Sequence, residues 1–186
     1  MEVMQSKRIG FIGAHSTGKD TLSHHAMSFL KKKKHSCYYI SEMAEKALMR
    51  GMDLNTPTGQ MWMLGYQMKA EMEALQWNKR EFILCNRSVI DNVPYCNRIS
   101  NLFRSKIEDM VLHYIKLFPY DHLLLLRPFK KIENDGLRDM DRKDQLQIDQ
   151  YFITFLQAYH IPYQELNAPT KGLRIKQMEK ILRNVM

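Results

Sequence analysis

Nine consecutive residues carry the most legible chemistry in this chain: Gly13, Ala14, His15, Ser16, Thr17, Gly18, Lys19, Asp20 and Thr21. Two glycines frame four residues, and a lysine follows the second. That spacing is the phosphate-binding loop motif G-x-x-x-x-G-K-[ST] in all but its last position. Gly13 and Gly18 permit backbone torsions that a side chain forbids. The loop amides then turn inward on an anion at the positive end of the helix that follows. Lys19 adds a point charge for the β- and γ-phosphates. Where the motif places a hydroxyl for Mg²⁺, this chain has Asp20, and Thr21 comes next. A carboxylate is a hard oxygen ligand that also suits Mg²⁺. It adds negative charge beside the phosphates, so nucleotide binding is expected to depend strongly on the metal.

Three further groups have residue types suited to the same chemistry. Asn86-Arg87-Ser88 with Asp91 forms the first. In phosphate-loop enzymes an Asp after a sheet strand supports Mg²⁺. Here that position is Asn86, so Asp20 and Asn86 read as an exchange in which the carboxylate has moved from strand to loop. Arg87 reads as a clamp on a substrate or phosphate, or as a buried ion pair with Asp91 or Glu42. Glu42 is the second group, placed to orient a substrate hydroxyl or accept its proton. The third is a charged stretch at residues 129–144, which includes Asp135-Gly136-Leu137-Arg138 and Arg142. Arginines closing on a transferring phosphoryl group neutralise its spreading charge, and closure excludes water. Arg138 and Arg142 are four residues apart and would share a helix face.

These residues need a scaffold. Strand patterns fall at residues 7–12, 36–40, 81–85, 122–126 and 163–166. Helical patterns fall at 18–32, 42–49, 58–79, 89–101, 104–117, 145–159 and 172–185, with Pro94 near the start of the fourth or kinking it. In the third, Met61, Leu64, Met68, Met72 and Leu75 recur at helical spacing and predict a core-facing stripe. In the helix at 145–159, Ile148, Phe152, Phe155, Leu156 and Tyr159 predict one buried side. Strands alternating with helices imply an α/β fold: a five-stranded parallel sheet with helices on both faces and a short lid, in one domain over 1–186. Ligands in such sheets bind beyond the carboxyl ends of the strands. Those ends are the phosphate loop, Glu42, Asn86-Arg87-Ser88, Arg127 and residues 167–170, so separate polar clusters converge.

Composition narrows the classes. Hydrophobic content of 45% and charged content of 26% are those of an ordinary soluble globule. No apolar run approaches the roughly 20 residues that span a bilayer, and no signal-like stretch opens the chain; the expected location is the cytoplasm. Three cysteines without a C-x-x-C pair argue against a disulfide framework. The seven histidines show no zinc spacing. A net charge of +8 suits anionic partners, from ATP to nucleic acid, without choosing between them. The run at residues 31–34 reads chiefly as a solvated helix end.

With these pieces together, the chain resembles the nicotinamide riboside kinase-like branch of phosphate-loop kinases, a group often labelled AAA-domain ATPases. The matches are G-A-H-S-T-G-K-D-T from Gly13, Glu42 at a strand end, N-R-S-V-I-D-N-V-P-Y from Asn86, and D-G-L-R from Asp135. The resemblance implies a three-layer phosphate-loop fold and transfer of a phosphoryl group from MgATP to a nucleoside, nucleotide or related small molecule. It implies that Glu42 and the Arg87 to Asp91 segment face the acceptor and that Arg138 and Arg142 belong to the lid. Ala168, Pro169 and Thr170 match the loop that holds adenine. Asp20 and Asn86 are the expected metal positions. Two rival expectations stand beside this one: a kinase acting on a hydroxymethylated pyrimidine in DNA, and an ATPase or nucleotide-dependent switch.

Overall fold

The computed structural model describes residues 6–77, 79–129 and 142–186. Five strands lie between helices: β1 (Lys7–Ile12), β2 (Cys37–Ile40), β3 (Phe82–Asn86), β4 (His122–Leu126) and β5 (Gln164–Leu166). They form one sheet in the order β2-β3-β1-β4-β5. Every pairing is parallel. The register aligns Phe11 with Asn86, Ile12 with Leu125, and Leu126 with Leu166, so the carboxyl ends finish at one edge. The five-stranded α/β expectation is met.

Side-chain alternation along the strands feeds apolar clusters on both faces of the sheet. Ile9, Phe11, Leu124 and Leu126 face α1 (Lys19–Lys32) and α7 (Lys171–Val185), where Leu22, Ala26, Phe29, Met178 and Leu182 complete one cluster. Ile12, Leu123 and Leu125 point to the other face. They pack with Leu64 of α3 (Pro57–Trp77), Val93 of α4 (Asn92–Cys96), Ile107 and Val111 of α5 (Asn101–Leu117), and Phe152 of α6 (Arg142–Ala158). Short helix α2 (Ala44–Met49) follows β2. Among the described residues no helix is long and apolar enough to cross a membrane.

Several expected boundaries move. The helix expected at 89–101 is a 3-10 turn (Val89–Asp91) followed by short α4. Ser88 caps that turn by accepting from Ile90 N, while Asp91 reaches back to the Ser88 amide, a capping box that sets the chain direction. α5 begins three residues earlier than expected because Ser100 caps it, its hydroxyl accepting from Phe103 N. α6 begins at Arg142, so residues 142–144 of the expected lid are helix. Residues 130–141, with Asp135 and Arg138, lie outside the described residues, as does the proposed pairing of Arg138 with Arg142.

The methionine stripe is the main correction. Leu64 is buried and Met68 packs partly against the core, but Met61, Met72 and Leu75 are exposed. The buried face of α3 is the adjacent row: Gln60, Leu64, Gln67, Glu71 and Ala74. Its polar members are tolerated because they satisfy one another. Glu71 accepts from Arg8 Nη1 at 2.8 Å, from Tyr114 at 3.1 Å, from Tyr120 at 2.7 Å and from Gln67 at 2.7 Å. Burial pushes the Glu71 carboxyl up, and Arg8 opposes that shift. Tyr159 likewise falls just past the end of α6 and is exposed.

This inversion is testable by urea denaturation. Glu71→Ala strands the Arg8 charge in the interior and is expected to cost about 3–5 kcal/mol. Met72→Lys, on the exposed row, is expected to stay within about 0.5 kcal/mol.

Candidate functional site

The chain leaves β1 through a turn that has no room for a side chain. Gly13 has φ +140°, and a Cβ there would lie 2.6 Å from the Leu126 carbonyl oxygen. Gly18 adopts φ +87° as the residue before α1, a left-handed conformation that favours glycine. Ser16 is also left-handed, at φ +56°. Thr17 closes the loop, its hydroxyl donating to Ala14 O at 2.9 Å. Lys19 is buried and folds back, donating from Nζ to Gly13 O at 2.7 Å and Ala14 O at 2.6 Å. The ammonium thus sits over the loop at the N-terminus of a 14-residue helix, where backbone dipole and side chain both favour an anion.

The two departures from the motif meet. Asn86, the last residue of β3, donates from Nδ2 to Asp20 Oδ1. Asn86 Oδ1 is buried and has no hydrogen-bond partner. Mg²⁺, the metal that such a loop implies, prefers a few protein oxygens with phosphate and water completing its shell. An exposed carboxylate beside an orphaned amide oxygen fits that donor set, with Asp20 and Asn86 as the residues that would hold it. Tyr39 completes the group, its hydroxyl 2.9 Å from Ser23 Oγ.

Arg87 comes next, with φ +93°, which turns the chain sharply after β3. Its guanidinium is buried between two carboxylates, 2.7 Å from Glu42 and 3.6 Å from Asp91. Burial alone would lower the Arg87 pKa; Glu42 and Asp91 overcome that and hold it well above its ordinary value. Burial raises the Asp91 carboxyl, opposed by Arg87 and by Lys19, so Asp91 lies within the field of the loop lysine. Asp91 Oδ2 accepts from Ser88 N at 2.9 Å, whereas Oδ1 has no hydrogen bond. The ion-pair reading of Arg87 therefore holds geometrically, with both expected partners at once.

Beside this cluster lies a cavity of about 330 Å³. His15 of the phosphate loop forms part of its wall, together with Arg87, Asp91 and Asn92, the side chains of Gln60 and Gln67, and apolar Ala44, Leu48 and Met63. Its size lies at the lower end of the roughly 300–1,000 Å³ typical of small-molecule pockets. One polar contact at its rim joins the turn after α4 to α6: Arg98 pairs with Asp144, Nε to Oδ1 at 3.0 Å. Arg142 does not reach the loop directly. It donates to Gln145 Oε1 at 2.6 Å, and Gln145 donates to His15 O at 2.7 Å, a relay from the end of the expected lid to the phosphate loop.

Residues 167–170 lie on the opposite flank. Thr170 caps α7. Ala168 O accepts from Arg174 Nε at 2.8 Å, and Ala168 N donates to Gln177 Oε1 at 3.3 Å. Arg174 escaped the sequence reading, although a signal existed: it occupies the apolar stripe of α7 with Met178, Leu182 and Val185. Gln67 and Gln145, likewise unforeseen, have no sequence signal beyond being polar residues inside helices.

The family model described as "AAA domain" matches residues 8–172. No curated protein sequence matches the chain. Among solved structures, NadR protein in complex with NR superposes with a TM-score of 0.74 at 17% identity, over 90% of this chain and 47% of that one. NadR protein in complex with NAD and AMP-PNP gives 0.73 at 14% identity, over 95% and 49%. Deoxyadenosine kinase from M. mycoides, with products dCMP and dCDP, gives 0.65 at 17% identity, over 95% and 99%. The chain spans about half the length of the NadR chains it matches. At these identities the likeness shows a shared fold.

The Asp20–Asn86 contact predicts a permitted swap. Asp20→Thr combined with Asn86→Asp is expected to retain Mg²⁺-dependent ATP binding by calorimetry, and each single change to weaken it about tenfold or more. A dead double variant with tolerated single variants would contradict the exchange.

Proposed function

Because the chain belongs to the AAA-domain family, with the fold of phosphate-loop kinases, we propose that it transfers the γ-phosphate of MgATP to a hydroxyl of a nucleoside, nucleotide or related small molecule. One observation carries this reading. His15 belongs to the phosphate loop and also lines the small cavity, so the loop and the cavity share a wall. A donor phosphate held by the loop would lie beside an acceptor held in the cavity, the arrangement that in-line transfer requires.

In this reading the loop amides from Gly13 to Lys19 hold the phosphate chain, and the Lys19 ammonium leaves its carbonyl contacts to meet it. Asp20 and Asn86 are the residues to hold Mg²⁺, which supplies charge neutralisation on the phosphates when bound. Arg87 is fixed between Glu42 and Asp91, so its charge stays aimed rather than swinging with solvent. Asp91, which lines the cavity, would orient the acceptor hydroxyl, and Glu42, on the other side of Arg87, would take the proton as the oxygen attacks. Arg138 and Arg142 belong to the lid that neutralises the moving group. Ala168, Pro169 and Thr170 border the donor base. The acceptor is a small molecule, because the cavity is small and walled by polar side chains among apolar ones. The deoxyadenosine kinase fold, bound there to deoxynucleotides, supports a nucleoside-like acceptor.

A DNA acceptor is less well served by this geometry. The lysines at 31–34 lie at the far end of α1, about 20 Å along a 14-residue helix from the loop. That basic run is thus remote from the phosphate loop.

Incubation with γ-labelled ATP and separate pools of nucleosides, nucleotides and DNA tests the assignment. Label is expected in the nucleoside or nucleotide pool. Label only in DNA, or release of free phosphate alone, would overturn it. Lys19→Ala is expected to lower transfer by at least about 10²-fold, the scale of losing one preorganised charge donor. Arg138→Ala is expected to lower kcat by about 10³-fold or more while leaving ATP affinity within a few fold; a variant with unchanged kcat would remove that residue from the mechanism.

A further inference from the structure

The phosphate loop follows the middle strand, and the cavity occupies the β2–β3 side of it. The β4–β5 side is built differently. Arg174 is 1% exposed, yet it donates to carbonyl oxygens of three separate segments. Nη1 donates to Arg127 O at 2.5 Å and to Thr17 O at 3.4 Å, and Nε donates to Ala168 O at 2.8 Å. Burial lowers its pKa to about 10, and Asp149 opposes this only through its field. A rigid guanidinium fork suits such bracing in a way that an ammonium does not.

The same guanidinium lies 3.6 Å from the centroid of the Phe129 ring, within cation–π distance. Phe129 is half-buried, with one face of its ring covered by that guanidinium. The edge passes 3.8 Å from where a Cβ on Gly18 would sit. A flat ring backed by a fixed cation therefore stands beside the last glycine of the phosphate loop, on the flank opposite the cavity. The nearby backbone is already engaged: Ala168 gives its carbonyl to Arg174 and its amide to Gln177, and Gln177 is held by Glu165 O at 2.7 Å.

We propose that Phe129, braced from behind by Arg174, is the stacking platform for the base of the donor nucleotide, and that the donor is selected for an aromatic base rather than for the hydrogen-bonding pattern of its edge. This rests on the phosphate-loop reading given above. Phe129 is the contact residue. Arg174 is a positioning residue that holds the ring, the phosphate loop and residues 167–170 in one arrangement. Stacking of this kind tolerates base identity because every base has a π-face.

Calorimetry on the full chain tests it, with MgATP, MgGTP and magnesium tripolyphosphate as probes. The wild-type protein is expected to bind ATP and GTP within about threefold of each other. Phe129→Leu is expected to weaken both by about tenfold, within the range that a lost aromatic stack gives, while tripolyphosphate affinity stays unchanged. Arg174→Lys, which keeps the charge and loses the fork, is expected to shift ATP in the same direction. Unchanged ATP affinity in Phe129→Leu overturns the proposal, and so does a parallel loss of ATP and tripolyphosphate. A strong ATP preference over GTP in the wild type overturns the selection by stacking. Phe129→Trp gives a readout that does not depend on the Arg174 variant folding. Relative to the parent protein, its extra fluorescence is expected to be quenched by ATP but not by tripolyphosphate; equal or absent quenching counts against the platform. A wild-type protein that binds none of the three probes would instead sink the kinase reading itself.

Discussion

At the ligand-facing edge of this sheet, the main constraint is the absence of space at Gly13. β1 and β4 are paired in register, Ile12 beside Leu125, so the next carbonyl of β4 projects into the turn that follows β1. A single added carbon would meet that oxygen at 2.6 Å. The turn must therefore be made by glycine at positive φ, which aims the following amides inward and delivers the chain to α1. The phosphate loop is thus a consequence of strand pairing as much as of its own residues.

That turn divides the edge into two flanks with different chemistry. On the β2–β3 side, carboxylates and a buried arginine surround a cavity, and the charge is arranged as a compact Glu42–Arg87–Asp91 cluster. On the β4–β5 side, the buried cation is matched mainly by carbonyl oxygens and an aromatic ring. Under the proposed phosphoryl transfer, a site that holds both donor and acceptor benefits from such asymmetry. The first flank suits a ligand with hydroxyls to orient, the second a flat ring.

The interior of the molecule has a polar seam as well. Arg8, Glu71, Tyr114, Tyr120 and Gln67 form a hydrogen-bonded group beneath the cavity floor, and Gln67 also donates to the Arg87 carbonyl at 3.1 Å. The seam is costly to desolvate, and its members tolerate burial because nearly all of their polar atoms find partners. It ties β1, α3 and α5 to the turn that carries Arg87, so the strained conformation there, at φ +93°, is supported from within.

Much of this was legible in the chain. The glycine spacing, the lysine after it, and the alternation of short apolar runs with amphipathic stretches determine a phosphate loop in a parallel α/β sheet, because torsional freedom and side-chain periodicity are local properties. The order of polar clusters at strand ends follows, since every strand in such a sheet points the same way. The tertiary structure alone decided which row of α3 is buried. Hydrophobicity favoured the methionines, but Glu71 found Arg8 at a separation of 63 residues, and a satisfied polar row displaced an apolar one. It also decided that Asn86 meets Asp20, and that Arg174 braces Thr17 from 157 residues away. A buried charge is stable only beside specific partners, and no short stretch of sequence records who those partners are.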